Sequence, residues 1–414
     1  MASRGQHLVR SGLRFASGSG LLGRLVGPAF ARLLDHLHDR LREGGIEATL
    51  PDGSRRRIGF HRPGPTAIVH LHSWLSLVRL ATSGSVGWYR AWEKGEWSSP
   101  DPVPLFDLFM RNGASLGEFA RAKGTARWHN QLLHRRRDNG RRMARRNIAA
   151  HYDLGNDFYA VWLDPSMTYS SGRFEPGDDL EAAQRRKVAM LLDRLQLKPG
   201  DRLLEIGCGW GTMAIEAAKR GAKVVGLTLS AEQKSWADTK IVELKLSEYV
   251  EIRLQDYREI SEQFDAVASV EMVEAVGQRW WPSYLESIAR NLKPGGRAAI
   301  QLISIDHRIF RGYSRNPDFI QAYIFPGGML IDEPRFEQLA HEQGLSWQDR
   351  EGFALDYAET LKQWRHRFDT AVAQGRLKGF SGRFHRLWRY YLMYCEGGFR
   401  GGGIDVAQVT MVKS

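Results

Sequence analysis

The apolar run Leu203-Leu204-Glu205-Ile206 passes directly into Gly207-Cys208-Gly209-Trp210-Gly211, and a helical pattern opens at Thr212. Glycine enters positive φ without steric cost, so three alternating glycines let the chain turn tightly and let a ligand approach the backbone. The surrounding pattern predicts strands over 202–206, 223–227, 250–254, 264–270 and 297–303. It predicts helices over 212–220 and from Ala231 onward. Strands alternating with helices form a parallel sheet covered on both faces. Such sheets bind ligands beyond the carboxyl ends of their strands, which is where the glycine turn stands.

The chain has 414 residues, 43% hydrophobic and 26% charged, as in ordinary soluble domains. No stretch approaches the roughly 20 apolar residues of a membrane span. Cys208 and Cys395 are the two cysteines. They make neither a disulfide framework nor a zinc cluster, which suits a reducing, cytoplasmic setting, and no metal site is expected.

The net charge of +12 suits an anionic partner, nucleic acid or membrane, or else a solvated basic face. Arg4, Arg10, Arg14, Arg24 and Arg32 precede the first acid, and Leu22, Leu25, Val26, Ala29, Phe30, Leu33, Leu37 and Leu41 recur at helical spacing. Such a helix lies on lipid or packs on its own domain. A hairpin is expected over 46–60, turning at Asp52-Gly53. Trp74, Trp88, Tyr89, Trp92 and Trp97 suit an interfacial belt, a ligand platform or, the favoured reading, a packed core. Between Arg121 and Arg146, ten Lys or Arg residues stand against the single acid Asp138. The expected organisation is an N-terminal α+β domain over 1–125, a basic linker over 126–150 and the α/β domain over 151–414.

A glycine turn alone also suits nicotinamide dinucleotides, but those sites expect an acidic residue after the second strand. Here that strand runs into Gly226-Leu227-Thr228-Leu229-Ser230. Thr228 and Gln233 offer neutral hydrogen bonds instead. Glu205 precedes the turn, and Asp256-Tyr257 follows the third strand, where the aspartate is placed to meet an adenine amine. Together these favour S-adenosylmethionine over NAD.

Several longer segments carry a resemblance: His151-Tyr152-Asp153-Leu154-Gly155-Asn156-Asp157-Phe158-Tyr159, Met167-Thr168-Tyr169-Ser170, Tyr323-Ile324-Phe325-Pro326-Gly327-Gly328, Tyr357-Ala358-Glu359-Thr360-Leu361 and Tyr390-Tyr391-Leu392-Met393-Tyr394-Cys395-Glu396. With the glycine turn and Thr228-Leu229-Ser230, they resemble the cyclopropane-fatty-acyl-phospholipid and mycolic acid cyclopropane synthases. The likeness covers roughly residue 145 to the end.

The resemblance implies a Rossmann-like class I methyltransferase domain with a mostly parallel seven-stranded sheet. It implies methyl transfer from S-adenosylmethionine to a cis double bond of a phospholipid acyl chain. The resulting cation loses a proton to a bound bicarbonate and closes a cyclopropane ring. Cofactor contacts would be Tyr169, Ser170, Glu205, Gly207, Cys208, Gly209, Gly211, Thr228, Leu229, Ser230, Gln233, Asp256 and Tyr257. The reaction pocket would be Ser171, Glu274, Gln301, Ile303 and Tyr357, with Cys395 matching the family's C-terminal cysteine. Methyl transfer needs no covalent enzyme intermediate, so Cys395 reads as a wall residue. The expected setting is cytoplasmic, peripheral on the inner membrane face through the basic segments, with pairing of two copies.

Three positions depart from the family pattern. Tyr-Ser-Cys reads Tyr169-Ser170-Ser171, Glu-His-Val-Gly reads Glu274-Ala275-Val276-Gly277, and the pocket histidine reads Gln301. Glutamine keeps a donor but cannot carry an imidazolium's charge. These departures resemble enzymes that make methyl-branched acyl chains, the alternative outcome. A nucleic-acid methyltransferase is disfavoured because no Asn/Asp-Pro-Pro-Tyr/Phe segment serves a flipped base. A lipid-binding protein that has lost its chemistry is disfavoured by the intact donor-site motifs.

Overall fold

The computed structural model describes residues 4–11, 27–117 and 154–414, and side chains from residue 32 within the second of these stretches. The basic linker over 126–150, the arginine-rich segment from Arg121 to Arg146, Leu22, Leu25, Val26 and His151-Tyr152-Asp153 lie outside the described residues. The chain divides into two compact units, each built from three stretches: Met1–Arg137, Asp306–Pro326 and Leu377–Ile404 in one, Asp138–Ile305, Gly327–Arg376 and Asp405–Ser414 in the other.

In the first unit, β1 (Glu43–Thr49), β2 (Arg55–Gly59), β3 (Arg62–Leu71) and β4 (Trp97–Ser98) form a sheet of order β2-β1-β3-β4. The expected hairpin is β1–β2, antiparallel with Ile46 opposite Ile58. Its turn is set by Asp52, which accepts from the backbone N–H and the hydroxyl of Ser54, and by Gly53 at φ 83°. Leu34 and Leu37 of the helix Gly27–Arg40 are buried, as is Leu41 beyond it.

The aromatic region also packs inward. Trp88 and Trp97 stack with ring centroids 4.4 Å apart, and the Trp97 indole donates to the Trp88 carbonyl at 3.0 Å. Tyr89 meets Phe319, Tyr323 and Tyr390 at centroid distances of 4.9, 4.7 and 5.0 Å. Edge-on and tilted packing of this kind suits the ring quadrupole.

The second unit holds β5 (Arg202–Ile206), β6 (Lys223–Thr228), β7 (Val250–Leu254), β8 (Phe264–Val270), β9 (Leu292–Ile305), β10 (Leu345–Gly352) and β11 (Ile404–Lys413) in one sheet of order β10-β11-β9-β8-β5-β6-β7. β7, β6, β5, β8 and β9 run parallel, and β10 pairs antiparallel with β11. The chain is thus α/β with a mostly parallel seven-stranded sheet and a smaller α+β region at its N-terminal side. Leu203, Val224, Ile252 and Ala266 lie in the core, against the helices Leu180–Leu195, Thr212–Lys219 and Ala231–Glu243. Near-continuous apolar strands are what burial on both faces of a parallel sheet requires.

Candidate active site

The glycine turn closes β5 at the carboxyl edge of the sheet. Gly207, Gly209 and Gly211 hold φ of 82°, 52° and 87°, and the N–H groups of Gly207 and Cys208 donate to the Leu227 carbonyl at 3.0 and 2.8 Å. The turn is thereby pinned to the end of β6. A Cβ on Gly207 would stand 2.7 Å from Met272 Cγ, whereas one on Gly209 would meet nothing within 4 Å. Cys208 is buried beside Gly226, and burial pushes its thiol well up.

Around this turn lie polar groups that suit a polar cofactor. Glu205 is 3% exposed and its Oε2 accepts no hydrogen bond. Burial raises its carboxyl to about 8. The Tyr257 hydroxyl is buried without a hydrogen-bond partner. Thr228 donates its hydroxyl to Gln233 Oε1 at 2.9 Å and accepts from the Ser230 N–H at 3.1 Å. Ser230 caps the helix Ala231–Glu243 by accepting from the Gln233 N–H at 3.3 Å. Leu229 sits between them in the same turn. Asp256 is engaged by Arg258, which donates to both carboxylate oxygens at 2.8 and 2.7 Å. Tyr169 packs among Tyr159, Trp162 and Trp364 with centroids 5.3–5.5 Å apart. An unsatisfied buried carboxylate oxygen, an unsatisfied phenol and a glycine open to close approach together fit S-adenosylmethionine.

Ser171, Gln301 and Tyr357 meet next to the turn, and they meet on a residue that the sequence did not single out. The Ser171 N–H donates to Glu271 Oε1 at 2.9 Å, the Gln301 amide donates to the same oxygen at 2.8 Å, and the Tyr357 hydroxyl donates to Oε2 at 2.7 Å. The Gln301 amide has one sensible orientation, because its Oε1 accepts from Gln408 at 3.1 Å. Its nitrogen therefore faces the carboxylate. Glu271 itself is left-handed at φ 47°, a conformation that costs a non-glycine residue about 1–2 kcal/mol. Its N–H donates to the Gln301 carbonyl at 2.8 Å, which fixes it at the end of β8.

Behind this carboxylate is a second residue not foreseen, Lys187. It lies 1% exposed on the inward face of the helix Leu180–Leu195, and its ammonium donates to Ser170 Oγ at 2.5 Å. Gln184, one turn earlier, donates to the Ser170 carbonyl at 2.7 Å. Burial lowers Lys187 to about 8, opposed by the negative charges of Glu271, Asp164 and Glu205. Burial raises the Glu271 carboxyl, while Lys187, Tyr357, Ser171 and Gln301 hold it down. Spacing carries a faint signal for both residues: Glu271 is a carboxylate just past a strand end, and Gln184 and Lys187 interrupt an apolar helix face.

Glu274 and Ile303 form a neighbouring pair. The Ile303 N–H donates to Glu274 Oε1, while Oε2 is buried without a partner. Burial raises Glu274 to about 8, and the nearby Glu271 adds to the shift. The expected pocket residues Ser171, Glu274, Gln301, Ile303 and Tyr357 are therefore gathered in one unit, in two adjoining hydrogen-bonded sets. Cys395 lies in the other unit, on the helix Gly382–Arg400. Burial and then Asp318 push its thiol up, so it is a poor nucleophile.

Residues 139–409 match the family model for mycolic acid cyclopropane synthetase. The chain is 38% identical over 362 residues to the tuberculostearic acid methyltransferase of Mycobacterium tuberculosis, covering 84% of this chain and 83% of that one. It is 36% identical over 351 residues to the cyclopropane-fatty-acyl-phospholipid synthase of Escherichia coli K12, covering 81% and 85%. Among solved structures, the mycolic acid cyclopropane synthase CmaA1 complexed with SAH and CTAB superimposes with a TM-score of 0.61 at 30% identity, covering 65% of this chain and 98% of that one. The chain belongs to the mycolic acid cyclopropane synthetase family.

Proposed function

We propose that this enzyme transfers the methyl group of S-adenosylmethionine to a cis double bond of a phospholipid acyl chain and then removes a proton from the resulting cation. The observation that carries this reading is the adjacency of the glycine turn to a buried carboxylate cluster. Met272 lies against Gly207 and directly follows Glu271 in the chain. S-adenosylmethionine is the co-substrate and supplies an electrophilic methyl. An alkene is a weak nucleophile, so the protein's main contribution is to hold it in line with that methyl, which oriented systems turn into large rate gains. The developing cation is stabilised by negative charge in a water-poor site; the Glu271 carboxylate, held ionised by its donors and by Lys187, supplies it.

Ring closure is the first reading, supported by the resemblance to the Escherichia coli enzyme named for cyclopropane synthesis. Methyl branching is the second, favoured by Ser171, Ala275 and Gln301, and by the likeness to a tuberculostearic acid methyltransferase. No helix among the described residues is long and apolar enough to cross a membrane. We place the enzyme at the cytoplasmic membrane face, drawn by the basic segments, each basic group near an anionic surface contributing about 1 kcal/mol. The N-terminal domain, the basic linker and pairing of two copies belong to this proposal.

The test incubates purified enzyme, S-adenosylmethionine and vesicles of cis-unsaturated phospholipid. The expected product is one CH2 heavier, and its nuclear magnetic resonance spectrum separates a ring from a branch. Failure to methylate any cis-unsaturated lipid would sink the reading.

A further inference from the structure

We propose that Glu271 is the resident proton acceptor of this enzyme, its carboxylate occupying the place of a dissociable bicarbonate among Ser171, Gln301 and Tyr357. This rests on the methyl-transfer reading above. A carboxylate and a bicarbonate present the same planar O–C–O edge, and both need donors around it. In this chain the donors are already committed: a backbone N–H and an amide on Oε1, a phenol on Oε2. A second anion would stand against an ionised carboxylate whose donors are already taken, with the Glu274 carboxyl adjoining it. The pocket therefore does not fit bicarbonate.

Three further observations point the same way. The left-handed backbone of Glu271 is a strained choice for a residue with a side chain, and such outliers gather where function holds them. Lys187 places a buried positive charge near the carboxylate, which favours its ionised form. The hydrogen bond from Gln408 prevents the Gln301 amide from turning its oxygen towards Glu271.

The step balances without another reactant. The alkene electron pair forms the new carbon–carbon bond as the methyl–sulfur bond breaks, leaving a neutral sulfide and a carbocation. A C–H electron pair then moves to the cationic carbon, closing a ring or forming a double bond, and the proton goes to Glu271. The carboxylic acid returns to carboxylate by losing that proton to water after the product leaves.

The experiment uses the full chain in carbonate-free buffer, with and without added bicarbonate. Wild-type turnover is expected to be the same in both. Glu271→Gln is expected to lose ~10³-fold of turnover, the scale of removing a general base, while still binding S-adenosylmethionine. Glu271→Gly suits the left-handed backbone and opens the pocket. It is expected to regain activity with bicarbonate or formate, and to bind isotopically labelled bicarbonate by nuclear magnetic resonance where the wild type does not. Bicarbonate-dependent wild-type turnover, labelled bicarbonate bound by the wild type, or full activity in Glu271→Gln would each overturn the proposal. A wild type that methylates no lipid fails the functional reading instead, and the labelled-bicarbonate measurement still decides this one.

Discussion

Tyr357 and Lys187 act on the same carboxylate from different directions, and each makes its own prediction. The Tyr357 hydroxyl donates to Glu271 Oε2 at 2.7 Å. Hydrogen bonds to charged groups contribute about 1.5–3 kcal/mol, so Tyr357→Phe should lose turnover by roughly 10- to 100-fold on the acidic side, where the carboxylate becomes protonated. The phenol favours the ionised carboxylate and burial opposes it. Its removal therefore raises the Glu271 pKa, and the acidic limb of the kcat–pH profile should move to higher pH. Lys187→Met should move that limb in the same direction, because it deletes the buried cation that stabilises the same anion. A profile unmoved by both changes would show that Glu271 does not govern the limb. Glu271 itself escaped the sequence reading for a physical reason. A carboxylate after a strand ordinarily caps the next helix, whereas this one, on a left-handed backbone, accepts from Ser171, Gln301 and Tyr357.

At the scale of elements, the sheet was legible where local pattern decides it. β5, β7 and β8 begin and end at the expected residues, and β6 runs one residue longer. β10 and β11 carried no local signal, because their pairing spans the helices Ala354–Ala373 and Gly382–Arg400. Long-range pairing is set by the tertiary fold rather than by local propensity. The donor-site glycine turn and Thr228-Leu229-Ser230 stand together at the carboxyl edge of the sheet. The polar cluster behind Ser170 was hidden, because a lysine on a helix reads as solvated until the burial of its face is known.

The glycine turn permits a test that separates folding from binding. Gly207→Ala combines φ 82° with a Cβ 2.7 Å from Met272, and a residue forced into such a conformation costs on the order of 1–3 kcal/mol. Gly209→Ala meets no protein atom within 4 Å, so its cost is the backbone term alone, about 1 kcal/mol. Its methyl enters open space beside the turn, which a cofactor seated on the turn would have to share. The expected result is a lower unfolding midpoint for Gly207→Ala. Gly209→Ala should stay close to wild type in midpoint but bind S-adenosylmethionine more weakly by calorimetry. Undiminished binding by Gly209→Ala would place the cofactor elsewhere on the edge.

For the whole molecule, the buried charges set how stability depends on pH. Glu205 and Glu274 are each raised from 4.5 to about 8 in the folded chain. Below pH 4.5 both states hold these protons, and the groups contribute no slope. Between 4.5 and 8 the unfolded chain releases them while the folded chain keeps them. The folded state then binds more protons, so stability falls as pH rises through this window. Asp318, raised by burial to about 6, adds to the fall in the lower part of it. Lys187 has the opposite sign, because its pKa drops from 10.5 to about 8 on folding. Between those values the unfolded chain holds the extra proton, and stability rises with pH. The two windows meet near pH 8, so the thermal midpoint of the cofactor-free protein should fall from pH 5 to pH 8; above pH 8 Lys187 halts the fall, until the Cys208 and Cys395 thiols, pushed up by burial, begin to oppose it near pH 9. Glu274→Gln keeps an oxygen for the Ile303 N–H but removes one titrating group, and should flatten the acidic side of the curve while leaving the alkaline side in place. A midpoint that rises steadily from pH 5 to pH 8 in the wild type would mean that these carboxyls are ionised in the folded state, and that the pocket is far more hydrated than its burial implies.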